Sequence, residues 1–215
     1  MAKRAKDTKQ RILIEALSLF SVKGYELVTV AEIADAVGIK APSLYKHYRS
    51  KQDIFNAIIT EMDKRYGEFM SSMQLDGNEA YRDRALYANV NEDELVAIAM
   101  NLFQYYLHDE YVSRFRKLLT LEQYTNEELS NIYIKRYILD PLDYQEMTFR
   151  MLSDAGRLAP ENARIMALHF YAPIFLLLAL CDAHPELEQE ATVMKEQHIR
   201  QFIQIYGRAR ADEKE

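Results

Sequence analysis

Residues 29–55 read TVAEIADAVGIKAPSLYKHYRSKQDIF, and the way this stretch must fold decides the rest. Thr29 as N-cap and Glu32 three residues on form a capping box, and Val28 and Ile33 are placed for a hydrophobic staple. Val30, Ile33, Ala34 and Val37 make one apolar face, and Gly38 ends the helix within about two turns. The connection Gly38-Ile39-Lys40 leads into a second short helix, predicted from Ala41 to about Tyr48, with Pro42 tolerated in its first turn. Leu44 and Tyr48 face inward with Ile39. The outer face carries Ser43, Tyr45, Lys46 and His47, with Lys40 at the entry. Two short helices across a Gly-containing turn describe a helix-turn-helix, whose second helix offers polar groups to a DNA major groove.

Upstream, a bracing helix is expected from an N-cap at Asp7, with Ile12, Ala16, Leu19 and Phe20 at helical spacing and Gly24 as its stop. Downstream, Ser50 caps a long connecting helix, 51–75. Phe55, Ile58, Ile59, Met62, Tyr66, Phe69, Met70 and Met73 carry its apolar stripe to the break at Asp76-Gly77-Asn78. Charge divides at the same place. Residues 1–51 hold ten bases and five acids, a net +5, leaving 17 bases and 28 acids, −11, for the remainder. A basic head on an acidic body fits a head that meets a polyanion. Lys3, Arg4 and Lys6 are placed either for an arm that reaches the DNA backbone or minor groove, or for a frayed tail.

The combination T-x-x-x-I-A-x-x-x-G, then S-L-Y-x-H-Y, then S-K-x-x-I-F resembles the TetR family of helix-turn-helix transcriptional regulators, and the likeness reaches back to Thr8. The resemblance implies that Tyr45, Lys46 and His47 contact DNA and that Thr29 and Lys51 hold phosphates. It also implies that Ala41, Pro42 and Ser43 sit at the groove entrance. Lys40 departs from the family, which often has a capping Ser there.

The expected fold class is all-α: an N-terminal three-helix helix-turn-helix domain, 1–50, and a larger C-terminal helical ligand-binding and dimerisation domain, 51–215. Six Gly and five Pro in 215 residues are too few for the frequent turns of a strand-rich fold. Further helices are predicted at about 92–107, 110–123, 126–138, 141–156, 160–183 and 187–207. Twelve of the 15 Tyr residues lie beyond Lys51, and with the Met residues they suit a pocket of mixed lining. The residues expected to line it are Met62, Tyr66, Phe69, Met73, Phe103, Tyr144, Met147, Met151, His169 and Phe170. Pro173 should kink the 160–183 helix and free the carbonyl of His169, either to line the pocket or to bend the helix around the core.

The stripes Met166, Phe170, Ile174, Leu177, Leu178 and Val193, Ile199, Phe202, Ile203, Tyr206 are broader than packing within a small domain requires. By the resemblance, the last two helices form a four-helix bundle with a second copy, giving a homodimer. The partners expected are double-stranded DNA and a small-molecule effector, with no membrane and no cofactor. The function expected is a repressor released from a palindromic operator by that effector. A DNA-binding protein controlled by a protein partner would carry the same head.

A helical enzyme is disfavoured, because no H-E-x-x-H, G-x-G-x-x-G, P-loop or Cys-His cluster occurs. A single Cys181 suits a reducing compartment. The opening MAKRAKDTKQ lacks the apolar core of a secretory signal, and the apolar run within 171–181 looks too short for a bilayer. A cytoplasmic protein is expected.

Overall fold

The structure of the protein, a computed structural model, describes residues 2–208, with side chains from Asp7 onward except Ala88. The described residues form eleven α-helices and no strand. They are α1 (Ala2–Lys23), α2 (Val30–Val37), α3 (Ala41–Leu44), α4 (Lys51–Ser72), α5 (Arg84–Asn89), α6 (Glu92–His108), α7 (Glu110–Glu122), α8 (Glu127–Ile134), α9 (Asp140–Asp154), α10 (Ala163–Ala183) and α11 (Glu188–Tyr206). A π-helical turn, Lys135–Leu139, joins α8 to α9, and a 3₁₀ turn, Pro185–Leu187, precedes α11.

The chain forms two compact units, cut differently from the division at residue 50. The first is Met1–Tyr66 with Asp109–Tyr133, and the second is Gly67–His108 with Ile134–Glu215. In the first, Ile12, Ala16 and Phe20 of α1 are buried, as are Ile33, Ala34 and Val37 of α2, Leu44 of α3, and Ile54, Phe55 and Ile58 of α4. Val112, Phe115 and Leu119 of α7 complete this core. The second unit has two apolar clusters, one around Phe103, Leu177 and Leu178, the other around Phe149, Met166 and Phe202.

Several helix ends are where the chain's chemistry puts them. Thr29 Oγ1 accepts from the Glu32 amide at 3.2 Å while the Glu32 carboxylate accepts from the Thr29 amide at 2.8 Å, the full capping box. Ser50 Oγ accepts from the Asp53 amide at 3.0 Å and opens α4. α1 does not start at Asp7, because Ala2, Lys3, Arg4, Ala5 and Lys6 are all strong helix formers and carry the helix back to Ala2. α3 is shorter than expected: it ends at Leu44 and continues as a turn.

Pro141 does not separate two helices. It lies in the first turn of α9, where a missing N–H costs little. The carbonyl it would have bonded, that of Tyr137, accepts instead from the Tyr171 hydroxyl at 2.7 Å. Pro173 lies inside α10 without ending it, and three residues earlier the Phe170 carbonyl lies 2.9 Å from His198 Nε2, which ties α11 to α10.

α10 is long and apolar enough, by length and composition alone, to cross a membrane: 21 residues, with a window of mean hydropathy 1.9. Within its unit it packs against α9 and α11, yet only 33% of that window is buried.

α5 was not foreseen, and Asp83 explains it. Its buried carboxylate accepts from the amides of Asp76 (2.6 Å) and Gly77 (3.0 Å) and from the Tyr144 hydroxyl (2.7 Å), folding residues 76–83 into an ordered bend before α5. Asp83→Ala would leave two amides and a phenol without their acceptor. It should destabilise the protein by about 2–4 kcal/mol in urea unfolding.

Candidate nucleic-acid interface

α3 is four residues long and is held by Leu44, which has no exposed surface. Lys40 stands at its N-cap with extended backbone and makes no side-chain cap bond. The Lys40 carbonyl accepts from the amides of Ser43 (2.8 Å) and Leu44 (3.3 Å). Pro42 is exposed, Ala41 and Ser43 are half-buried, and Tyr45 is 53% exposed. Lys46 is exposed and His47 half-buried, in the turn whose amides reach back to Ala41 and Leu44. This edge therefore brings Lys40, Pro42, Ser43, Tyr45, Lys46 and His47 together on one short stretch, while Leu44 is spent on the core. Tyr48 is half-buried, and burial raises its phenol pKa.

The two residues expected to hold phosphates are engaged with protein groups. The Thr29 hydroxyl donates to the Glu32 carboxylate at 2.9 Å. That carboxylate also pairs with Lys23 at 2.8 Å, and the Lys23 ammonium, with the Thr29 amide and hydroxyl, holds its pKa down to about 2. The Lys51 ammonium donates to the carbonyls of Tyr25 (2.8 Å) and Glu26 (3.2 Å) and lies 4.3 Å from the centroid of the Tyr25 ring. It closes the α1–α2 loop onto the start of α4. The side chains of Lys3, Arg4 and Lys6 lie outside those described.

Sequence reasoning missed Glu122. Its buried carboxylate accepts from the Tyr25 amide at 2.6 Å, anchoring the same loop to the end of α7. An acid at a helix C-terminus opposes the helix dipole, and that misfit was its one sequence signal. Gly24 makes the contact possible: its φ is +83°, and a Cβ there would sit 2.6 Å from Glu122 Oε1.

The residues expected to line a ligand cavity are divided between the two units. In the first unit Met62 is buried in the core and Tyr66 is half-buried. In the second, Phe69 stacks on Tyr105 with ring centroids 3.9 Å apart, and Met73 and Met151 are half-buried. Phe103 is buried beneath the Lys195 ammonium. The Tyr144 hydroxyl meets Asp83 and, at 3.0 Å, the Tyr87 hydroxyl. Burial drives the Tyr144 pKa far above its ordinary value and that of Tyr87 to about 12. Met147 is 49% exposed. His169 Nδ1 lies 2.7 Å from the Tyr206 hydroxyl, and Phe170 packs edge-on against Phe149 and Phe202. A surface groove of about 550 Å³ between the end of α9 and the start of α10 is lined by none of these residues.

Residues 12–58 match the family model for bacterial regulatory proteins of the tetR family. The HTH-type transcriptional regulator AcrR of Shigella flexneri is 38% identical over 64 residues, 30% of this chain and 30% of that protein. The match thus spans less than a third of that relative's length. A TetR-family transcriptional regulator of Mesorhizobium loti, solved as a crystal structure, superposes with a TM-score of 0.68 at 18% identity, covering 95% of this chain and 99% of that one. SmeT, the repressor of the Stenotrophomonas maltophilia multidrug efflux pump SmeDEF, solved with triclosan, gives a TM-score of 0.67 at 18% identity over 94% and 92% of the two chains. Residues 12–58 thus match the tetR family model, and over its length the chain has the fold of solved TetR-family regulators.

Gly24→Ala forces a left-handed backbone on a residue with a Cβ and pushes the Glu122 carboxylate off the Tyr25 amide. The expected loss is about 1–3 kcal/mol of stability, read from the urea midpoint.

Proposed function

We propose that the protein is a DNA-binding transcriptional regulator, a repressor that leaves its operator when a small molecule binds. The observation that carries this reading is the edge of α3. A head that matches the tetR family model presents Ser43 from α3 and Tyr45, Lys46 and His47 from the turn that follows it, anchored by Leu44, with a net charge of +5 over residues 1–51. Lys40 and Lys46 attract phosphates, and Tyr45 and His47 reach base edges. Thr29 and Lys51 serve at phosphates through the N-terminal turns of α2 and α4. Residues 1–50 act as the reading domain and 51–215 as the effector and dimerisation domain, with α4 the connection. A small-molecule effector is supported by likeness in fold to SmeT, which is known bound to triclosan. Acting on DNA, the protein works in the cytoplasm.

One short recognition element covers too few base pairs for a unique address, so a symmetric pair reading a palindrome is proposed, with half-sites about 34–36 Å apart. We place the pairing on the exposed apolar residues of α10 and α11, of which Val193 also stands in the stripes read in the sequence. Met166, Leu177, Leu178, Ile199 and Phe202 are buried within their own unit. The exposed apolar residues are Ile165, Leu168 and Leu176 (67%) on α10, and Val193, Met194 and Ile205 (62%) on α11. A second copy of these helices covers that face and satisfies the apolar surface of α10.

Selection of genomic fragments by the full-length protein tests the reading, with discrete, palindromic sites as the expected result and sequence-blind recovery as the contrary one. On a selected site, Tyr45→Ala or His47→Ala should lose about 1–3 kcal/mol of discrimination while keeping non-specific affinity. Equal losses on specific and random DNA would remove these residues from base reading. Leu176→Glu with Ile205→Glu should give a folded monomer by sedimentation and lose operator binding with it. An intact dimer would move the interface elsewhere.

A further inference from the structure

Lys195, on α11, has 1% of its surface exposed. Its ammonium donates to the carbonyl of Ala99 on α6 and lies 4.6 Å from the centroid of the Phe103 ring. The Ala99 carbonyl, in mid-helix, is already the acceptor for the amide one turn ahead, so the ammonium shares it. An ammonium carries three donors and takes an anion as its natural partner, and leaving it buried without one is costly. Among the described residues no carboxylate pairs with Lys195. The acids of the α6–α11 seam are taken: Glu92, Asp93 and Glu196 face Arg200, and Glu188 faces His108. From α10 the titratable neighbour in the same cluster is the buried thiol of Cys181. Burial alone lowers the Lys195 pKa to about 7. A Met of similar length would fill the same space with no charge to desolvate, so packing does not explain a lysine here.

We propose that Lys195 is the anchor for an organic anion, the carboxylate of a small amphiphilic acid whose apolar part lies against Phe103, Leu177 and Leu178. The two carboxylate oxygens supply further acceptors for the ammonium, and an apolar body matches the cluster to which the Phe103 ring beneath it belongs. A multiply charged phosphate would bring a second negative charge that nothing in the cluster neutralises. The proposal rests on the second unit being the effector domain and gives that effector its chemical class.

The test is calorimetry on the full-length protein at pH 6.5 and pH 8.5 with hexanoate, decanoate and benzoate, and with decanol as the uncharged counterpart. At least one acid should bind the wild type at pH 6.5 and decanol should not. Binding should weaken about tenfold or more at pH 8.5, where the amine is free to lose its proton while the acid stays ionised. Lys195→Met should fold with an unfolding temperature no lower than wild type and bind the acid at least about tenfold more weakly. Equal binding by the variant, equal binding of decanol, affinity unmoved by pH, or no binding of any acid would each overturn the proposal. The pH comparison stands on the wild type alone should the variant not fold. Operator binding in the same samples separates the two readings. Full operator affinity without an acid response removes the anion site and leaves the regulator; loss of sequence discrimination removes the regulator reading itself.

Discussion

A four-residue helix has no stability of its own, because one turn fixes several dihedrals for a single hydrogen bond. α3 is such a helix, so its position is entirely a consequence of what grips it. The grip is Leu44, with no exposed surface, where α3 packs against α2. Everything else in the first unit can be understood as holding that seat still. The capping box fixes where α2 begins. Arg11 reaches the Val37 carbonyl at 2.6 Å and fixes where it ends. Lys51 and Glu122 hold the loop before it from two sides, through the Tyr25 carbonyl and the Tyr25 amide. With the backbone fixed this way, Tyr45, Lys46 and His47 need no packing role, and their side chains are available to a ligand.

How much of this was legible follows from the range of the forces involved. Caps and stops act within one turn, so Thr29, Glu32, Gly38 and Ser50 could be read directly. The extension of α1 to Ala2 is also local, since five good helix formers outweigh the cap that Asp7 offers. The π-helical turn and the role of Pro141 were not local. They depend on the Tyr171 hydroxyl, 34 residues away, taking the carbonyl that proline leaves. Asp83 and Glu122 were likewise out of reach, because each works on backbone amides that only the tertiary fold brings near. Lys195 did leave a trace. It falls in the row Ala191, Lys195, Ile199, Phe202, a helical stripe otherwise apolar and buried.

The second unit divides its apolar surface in a way the sequence stripes alone could not resolve. A helix as apolar as α10 shows hydrophobic residues on every side, so periodicity does not say which side turns inward. In the structure Met166, Leu177 and Leu178 go to the core, and Ile165, Leu168 and Leu176 remain outside. That outer face and the buried ammonium of Lys195, held by a carbonyl and a ring and by no carboxylate, are the features on which the two proposals for this unit rest. The first supports the proposed second copy of the chain, the second the proposed anion. Each joins what the fold leaves open to a partner that a regulator would have.

The claim that the edge of α3 meets DNA is tested most directly by amide chemical-shift mapping of the isotope-labelled full-length protein against a selected duplex. The account predicts that the largest changes fall on residues 40–47, with smaller ones at the N-terminal turns of α2 and α4. Changes that avoid residues 40–47, or that fall on α10 and α11, would contradict it.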